Sequence, residues 1–181
     1  MINRNFLLII IYIFAYGCSK DKYIRTYLME KSKPIKNQTI LENPSNSLSW
    51  EKPKKWTIST GSNMRIASFD VPFDNGAGDF SLIELSGDGG GLESNINRWR
   101  RQLKLAPQSL KEIKQNLIPH KGKEGPYDVI KIINKDDQSA FICAIIPINN
   151  KTIFAKLSGT ASGVETAYDD FISFCSSINL P

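Results

Sequence analysis

Between Ser86 and Leu103 the chain reads SGDGGGLESNINRWRRQL, and most of its residue types suited to holding a ligand lie there. Gly87, Gly89, Gly90 and Gly91, interrupted by Asp88, can gather backbone N–H groups at the start of a helix. The positive end of the helix dipole favours an anion at such a place. Arg98 inside the run and Arg65 upstream add guanidinium groups, and Asn95 adds an amide. The chemistry these residues suit is anion or small-ligand binding, with Arg65, Gly89, Gly90, Gly91, Asn95 and Arg98 as candidate contacts. A structural reading stands beside it. Asp88 and Glu93 already bring negative charge to that helix end, and the glycines suit a tight strand-to-helix turn close to the sheet. No lysine follows at P-loop spacing, so the run is not a nucleotide site.

Other reactive residue types are scattered. His120 is the only histidine, which argues against a zinc site and a nucleophile–histidine–acid triad. Asp136-Asp137 and Asp169-Asp170 read as a turn and a solvated helix face. Cys143 and Cys175 sit in apolar patterns suited to buried free thiols, although export permits a disulfide, and no CxxC occurs. The residues therefore indicate a protein that is not an enzyme, with no metal and no cofactor.

Elements must position these groups. Leu92, Ile96, Trp99 and Leu103, spaced by four, three and four, place Trp99 on the buried face of a helix over 92–103. Asn95, Asn97, Arg98, Arg100, Arg101 and Gln102 fall largely off that face. Three strands precede it: Trp56–Thr60, Met64–Val71 and Asp79–Ser86. In the second, Arg65 shares a face with Ala67, Phe69 and Val71, and so needs a carboxylate or carbonyls, with Asp79, Glu84 and Asp88 as candidates. Ser109 and Glu112 form a capping box opening a short helix with Leu110, Ile113 and Leu117 inward, and 119–126 reads as an exposed loop. Three more strands follow, Tyr127–Ile133, Ser139–Ile148 and Lys151–Ser158, the second apolar on both faces and joined to the third by an Asn149-Asn150 turn. A last helix over 163–178 carries a Ser162/Glu165 capping box. The expected fold is α+β: one domain over 48–181, a mostly antiparallel sheet of about six strands in the order βββ-αα-βββ-α, with helices packed on it.

The N-terminus reads as a processing signal. Arg4 precedes an unbroken apolar run, Phe6 to Phe14, too short for the roughly 20 residues of a spanning helix. The run leads through Ala15, Tyr16 and Gly17 to Cys18, which resembles a bacterial lipobox. The expectation is a signal peptide over 1–17, lipidation at Cys18, and a Lys-, Asn-, Ser- and Pro-bearing tether over 18–47. Ordinary cleavage and an uncleaved anchor are the alternatives. The net charge is +5, and removing Arg4 leaves +4, dispersed and without a basic run. That is weak attraction to an anionic membrane surface and argues against nucleic acid as a partner.

Trp50, Pro53 and Trp56, then Met64-Arg65-Ile66-Ala67-Ser68-Phe69, then Gly90-Gly91 and Asn95-x-Asn97-Arg98-Trp99-x-x-Gln102-Leu103-x-Leu105, come in a familiar order. They resemble a family of uncharacterised exported bacterial proteins, often lipoproteins, of planctomycete- and verrucomicrobia-like genomes. The resemblance covers residues 48–107 well and the remainder loosely. It implies export and one domain type, and supplies no catalytic residue. The element order separately resembles the PsbP-like fold. The expected role is a non-enzymatic binding or assembly-accessory module, lipid-anchored in a bacterial envelope and facing the periplasm, with an envelope protein as partner. The alternative is a small-ligand domain using the Gly87–Gly91 loop.

Overall fold

The computed structural model describes residues 48–74 and 76–180. The apolar run, Cys18 and the tether lie outside the described residues. The elements are β1 (Thr57–Ile58), β2 (Ala67–Phe73), β3 (Gly76–Ser86), α1 (Leu92–Gln102), α2 (Leu110–Gln115), β4 (Ile118–Gly122), β5 (Gly125–Ile133), β6 (Ser139–Ile148), β7 (Lys151–Thr160), α3 (Ala161–Thr166) and α4 (Tyr168–Ser177). The fold is α+β, with seven strands in one sheet in the order β1-β2-β3-β7-β6-β5-β4 and every pair antiparallel.

This order gives α1 its position. β3 pairs with β7 in the middle of the sheet, while the next strand in sequence, β4, lies at the far edge. The chain between them must cross one face, and α1 and α2 make that crossing. Strand alternation supplies apolar surface for both layers. From β6, Ala140, Ile142, Ala144, Ile146 and Ile148 enter the core beneath α3 and α4. Phe141 and Cys143, with Ile145 packed against them, enter the core beneath α1 and α2. Doubly apolar β6 is thus a central strand covered on both faces, as its sequence indicates. The larger core contains Trp56, Phe69, Phe80, Phe171 and Phe174, with Trp56 and Phe80 rings 4.8 Å apart and Phe80 and Phe174 rings 4.7 Å apart. Such aromatic pairs contribute about 0.5–1.5 kcal/mol each beyond the area they bury. Cys143 and Cys175 belong to the two different cores and are free.

Four expectations need correction. The segment 119–126 is not a loop but most of a hairpin, in which His120 pairs with Tyr127 and Gly122 with Gly125. Proline and glycine there suggest a break, yet Pro119 lies in edge strand β4, and Pro126 precedes the part of β5 that pairs with β6, which begins at Asp128. Gly125, at φ 122°, takes the turn conformation that a side chain disfavours. The hairpin brings the sheet to seven strands, within the expected α+β architecture of about six. Second, the first strand shrinks to two residues, Thr57 and Ile58. Third, β2 begins at Ala67, which leaves Arg65 in the approach to the strand, and continues through Pro72. β1 pairs only with Phe69 and Asp70, so Pro72 lies beyond its end, with no strand partner on that side among the described residues.

The fourth concerns the C-terminal helix, which is two helices meeting at Ala167, and its cap is Thr160, not Ser162. Thr160 Oγ1 accepts from Gly163 N at 3.1 Å. β7 runs to Thr160, whose extended φ and ψ suit an N-cap. Glu165 instead pairs with Lys131 at 2.8 Å. The Ser109/Glu112 capping box does form, with Ser109 N donating to Glu112 Oε2 at 2.7 Å. Asn149 takes φ 53° in the β6–β7 turn.

Candidate functional site

β3 delivers the glycine loop and α1 leaves it. The glycine N–H groups of the loop are spoken for: Gly87 N donates to Asn150 O at 2.9 Å, Gly89 N to Ser86 O at 3.2 Å, and Gly91 N to Asp88 O at 3.4 Å. Gly90 N donates to Asp88 Oδ1 at 3.0 Å. Asp88 thus takes one of the donors an anion could use. Gly89 is required twice over, because its φ is 65° and a Cβ there would meet Phe154 Cε2 at 2.3 Å.

Asn95 ties loop to helix. It is buried at 3% exposure, and its Nδ2 donates to Gly89 O at 3.0 Å and to Gly91 O at 2.9 Å. Its Oδ1 accepts from Arg98 Nη2 at 2.6 Å. Four of the sequence-indicated residues, Gly89, Gly91, Asn95 and Arg98, therefore form one connected latch, while Gly90 is held by Asp88. The amphipathic stripe behaves as its spacing indicates. Ile96, Trp99 and Leu103 are buried, and Trp99 meets Phe154 edge-on with centroids 5.8 Å apart. Part of the polar back is structural: Asn97 exchanges two hydrogen bonds with the Gln108 backbone, at 2.8 and 2.9 Å, and Arg100 Nε donates to Ala106 O at 2.7 Å.

Arg65 finds its carboxylate in Asp79, through parallel bonds of 2.7 and 2.8 Å. The bidentate bond to Arg65 holds the Asp79 carboxyl below its ordinary value and raises Arg65 further. The other two candidates are engaged elsewhere, Glu84 with Lys151 at 2.6 Å and Asp88 with Gly90.

Arg65 and Arg98 nevertheless face a common space. Helices α1 and α2 cover the β5–β6–β7 side of their sheet face, which leaves a groove of about 300 Å³ beside α1. β3 supplies Ile83 and Leu85 to its floor, β7 supplies Phe154 and Lys156, and Met64 stands at the opposite rim. Lys156 is the member that the sequence reading missed. Its signal was present: in Lys151–Thr160 it shares the alternation phase of Phe154 and so points to an otherwise apolar layer. Its Nζ lies 4.5 Å from the Phe141 ring centroid and 3.3 Å from Gln102 Oε1. Burial pushes its ammonium below the ordinary lysine value; Arg65 and Arg98 add to that effect and Asp79 opposes it.

The remaining reactive types have structural surroundings. His120 Nε2 lies 3.1 Å from Tyr168 Oη, and its ring stacks on Tyr127 at 5.5 Å. Tyr127 shares a 2.8 Å hydrogen bond with Ser176, and burial pushes its phenol up to about 12. Burial also raises both thiols, Cys143 and Cys175. Among the described residues no three His, Cys, Asp or Glu side chains gather as metal ligands would. No helix among them is long and apolar enough to cross a membrane.

No protein-family model and no curated protein matches the chain. Solved structures do. Cyanobacterial PsbP from Synechocystis sp. PCC 6803 is similar at 11% identity and TM-score 0.47, over 82% of this chain and 100% of that one. LpqN, involved in cell envelope biogenesis of Mycobacterium tuberculosis, is similar at 12% identity and TM-score 0.43, over 77% and 87%. A protein from Bacteroides thetaiotaomicron VPI-5482 is similar at 14% identity and TM-score 0.45. The match covers 74% of this chain but 45% of the Bacteroides protein, less than half of its length.

Proposed function

We propose that this chain is an exported lipoprotein, anchored through Cys18 to a bacterial envelope membrane, whose folded domain works as a non-enzymatic binding or accessory module. The N-terminal run ending at Cys18 supports the anchor. One observation carries the binding role: the groove beside α1, where Arg65, Arg98 and Lys156 surround an apolar strip. Each cation has a side-chain partner, Asp79, Asn95 or Gln102 respectively, which orients it toward the groove. His120 and the two thiols lie outside the groove, His120 among tyrosines and both thiols buried.

The anchor is tested by intact mass of the protein taken from its host's membranes, beside a Cys18→Ser chain. Cleavage before Cys18 with added acyl chains, both lost in the variant, is the expected result. An unmodified chain in the soluble fraction refutes the anchor. The binding role is tested in the same host with a photo-reactive side chain at exposed position 102. Crosslinking to an envelope component, absent when the probe is moved to Lys111 on α2, is expected. Equal crosslinking from both positions refutes the role of this face.

A further inference from the structure

The groove can be read more finely, on the premise that the domain is a binding module. Its charges do not balance. The Arg65 guanidinium is neutralised by Asp79, but Arg98 and Lys156 reach only amide oxygens among the described residues. Two positive charges thus face one space with no carboxylate of their own. Arg98 commits Nη2 to Asn95 and Lys156 commits one donor to Gln102, so most of their N–H groups remain available to a ligand.

Between and below the two cations the surface changes character. Ile83 and Leu85 are half-buried, Phe154 and Trp99 are each 5% exposed, and Met64 at the rim is 68% exposed. A strip of this kind accepts an aliphatic chain or a small ring, and the Met64 thioether can adjust to either. A volume of about 300 Å³ lies at the small end of ligand sites. The loop glycines contribute nothing to the head, since their N–H groups are internally bonded and none of them lines the groove.

We infer that the groove binds a small amphipathic anion, with a carboxylate or phosphate head between Arg98 and Lys156 and an apolar body along Ile83, Leu85 and Phe154. The positive field at the head position is built in. Lys156 rests over the Phe141 ring within reach of Gln102, and Arg98 donates to an asparagine that is itself buried and doubly bonded. Binding therefore requires little reordering of either side chain.

The test uses the full chain in phosphatidylcholine nanodiscs, titrated calorimetrically against an empty-nanodisc blank. The probes are octanoate and octyl phosphate, with acetate, inorganic phosphate and octyltrimethylammonium as comparisons. At least one eight-carbon anion is expected to bind one-to-one, at least about tenfold more tightly than its head alone. The tighter of the two identifies the head. Lys156→Gln is expected to weaken binding about tenfold through loss of a charge-assisted hydrogen bond. Gln102→Glu is expected to do the same by setting a carboxylate beside Lys156, and because Gln102 is exposed that variant keeps its fold and its unfolding temperature. The inference is overturned if neither anion saturates, if the ammonium probe binds equally, or if neither variant changes the affinity. Failure of these titrations with acylation and crosslinking intact removes the ligand assignment alone; loss of acylation with titrations intact removes the anchor alone.

Discussion

Gly89→Ala separates two effects that glycine substitutions usually confound. At Gly89 the new Cβ meets both an unfavourable backbone and a ring, with φ at 65° and Phe154 Cε2 at 2.3 Å. At Gly87 the backbone is nearly the same, φ 60°, but nothing lies within 4 Å of a Cβ. Gly87→Ala is therefore expected to destabilise by about 1–2 kcal/mol, the penalty of a left-handed conformation for an L residue. Gly89→Ala carries that penalty plus about 1–3 kcal/mol of overpacking. The ring cannot simply swing aside, because Trp99 stands edge-on against it at 5.8 Å. The assay is urea and thermal unfolding of the full chain for both variants, in the wild-type and Phe154→Leu backgrounds. Shrinking the ring should recover most of the extra loss in Gly89→Ala and none of the loss in Gly87→Ala, a coupling that a double-mutant cycle measures directly. Equal destabilisation by the two substitutions, or a cycle with no coupling to Phe154, refutes the claim that Gly89 is glycine because the sheet floor leaves it no room.

Thr160→Ala should cost about 1 kcal/mol in urea unfolding through loss of the helix cap, while Ser162→Ala stays within about 0.5 kcal/mol; the reverse order contradicts the assignment of Thr160 as the cap. Asp79 has its folded pKa below the ordinary carboxylate value, so its ion pair stabilises the native state at neutral pH and loses that contribution as pH falls below about 4 through the folded value. The difference in stability between the wild type and Asp79→Asn should shrink across that acid window. It is a small difference, because the Asp79 side chain is 48% exposed and solvent screens the pair. A difference that is constant from pH 2.5 to 6 contradicts the pairing. Cys143 and Cys175 should resist a thiol reagent in the native protein and both react in denaturant without prior reduction; a non-reducing mass two hydrogens light contradicts their assignment as free thiols.

Local features were legible in the sequence where the cause was local. The spacing of Ile96, Trp99 and Leu103 marks the buried stripe of α1, because helical periodicity alone decides which side chains share a face. The Ser109/Glu112 box is a contact across three residues, and both its bonds form. The apolar run of β6 indicates cover on both faces, since alternation leaves no side for water. Where local signals competed, they misled. Thr160 and Ser162 both offer a cap hydroxyl, and the end of β7 chose between them. Prolines and glycines over 119–126 read as a loop, but Pro119 sits on the edge strand and Pro126 ahead of the β5–β6 ladder, where neither interrupts the sheet.

For the candidate site the division is sharper. Residue type alone singled out Arg65, Asn95, Arg98 and the glycines as polar groups needing partners, and offered three carboxylates for Arg65. The β2–β3 register alone does not choose among them, since it sets Asp79 opposite Asp70. Arg65, ahead of β2, reaches Asp79 along the sheet face that carries Ser81 and Ile83, whereas Glu84 belongs to the opposite phase of β3. Lys156 enters the groove only because β7 pairs with β3, although 70 residues separate Ser86 from Lys156 in sequence. Alternation reveals which face a strand residue occupies; it carries no information about what lies across that face. That depends on strand order and register, which are set by long-range burial and hydrogen bonding over the whole sheet, and so only the tertiary structure could assemble the groove.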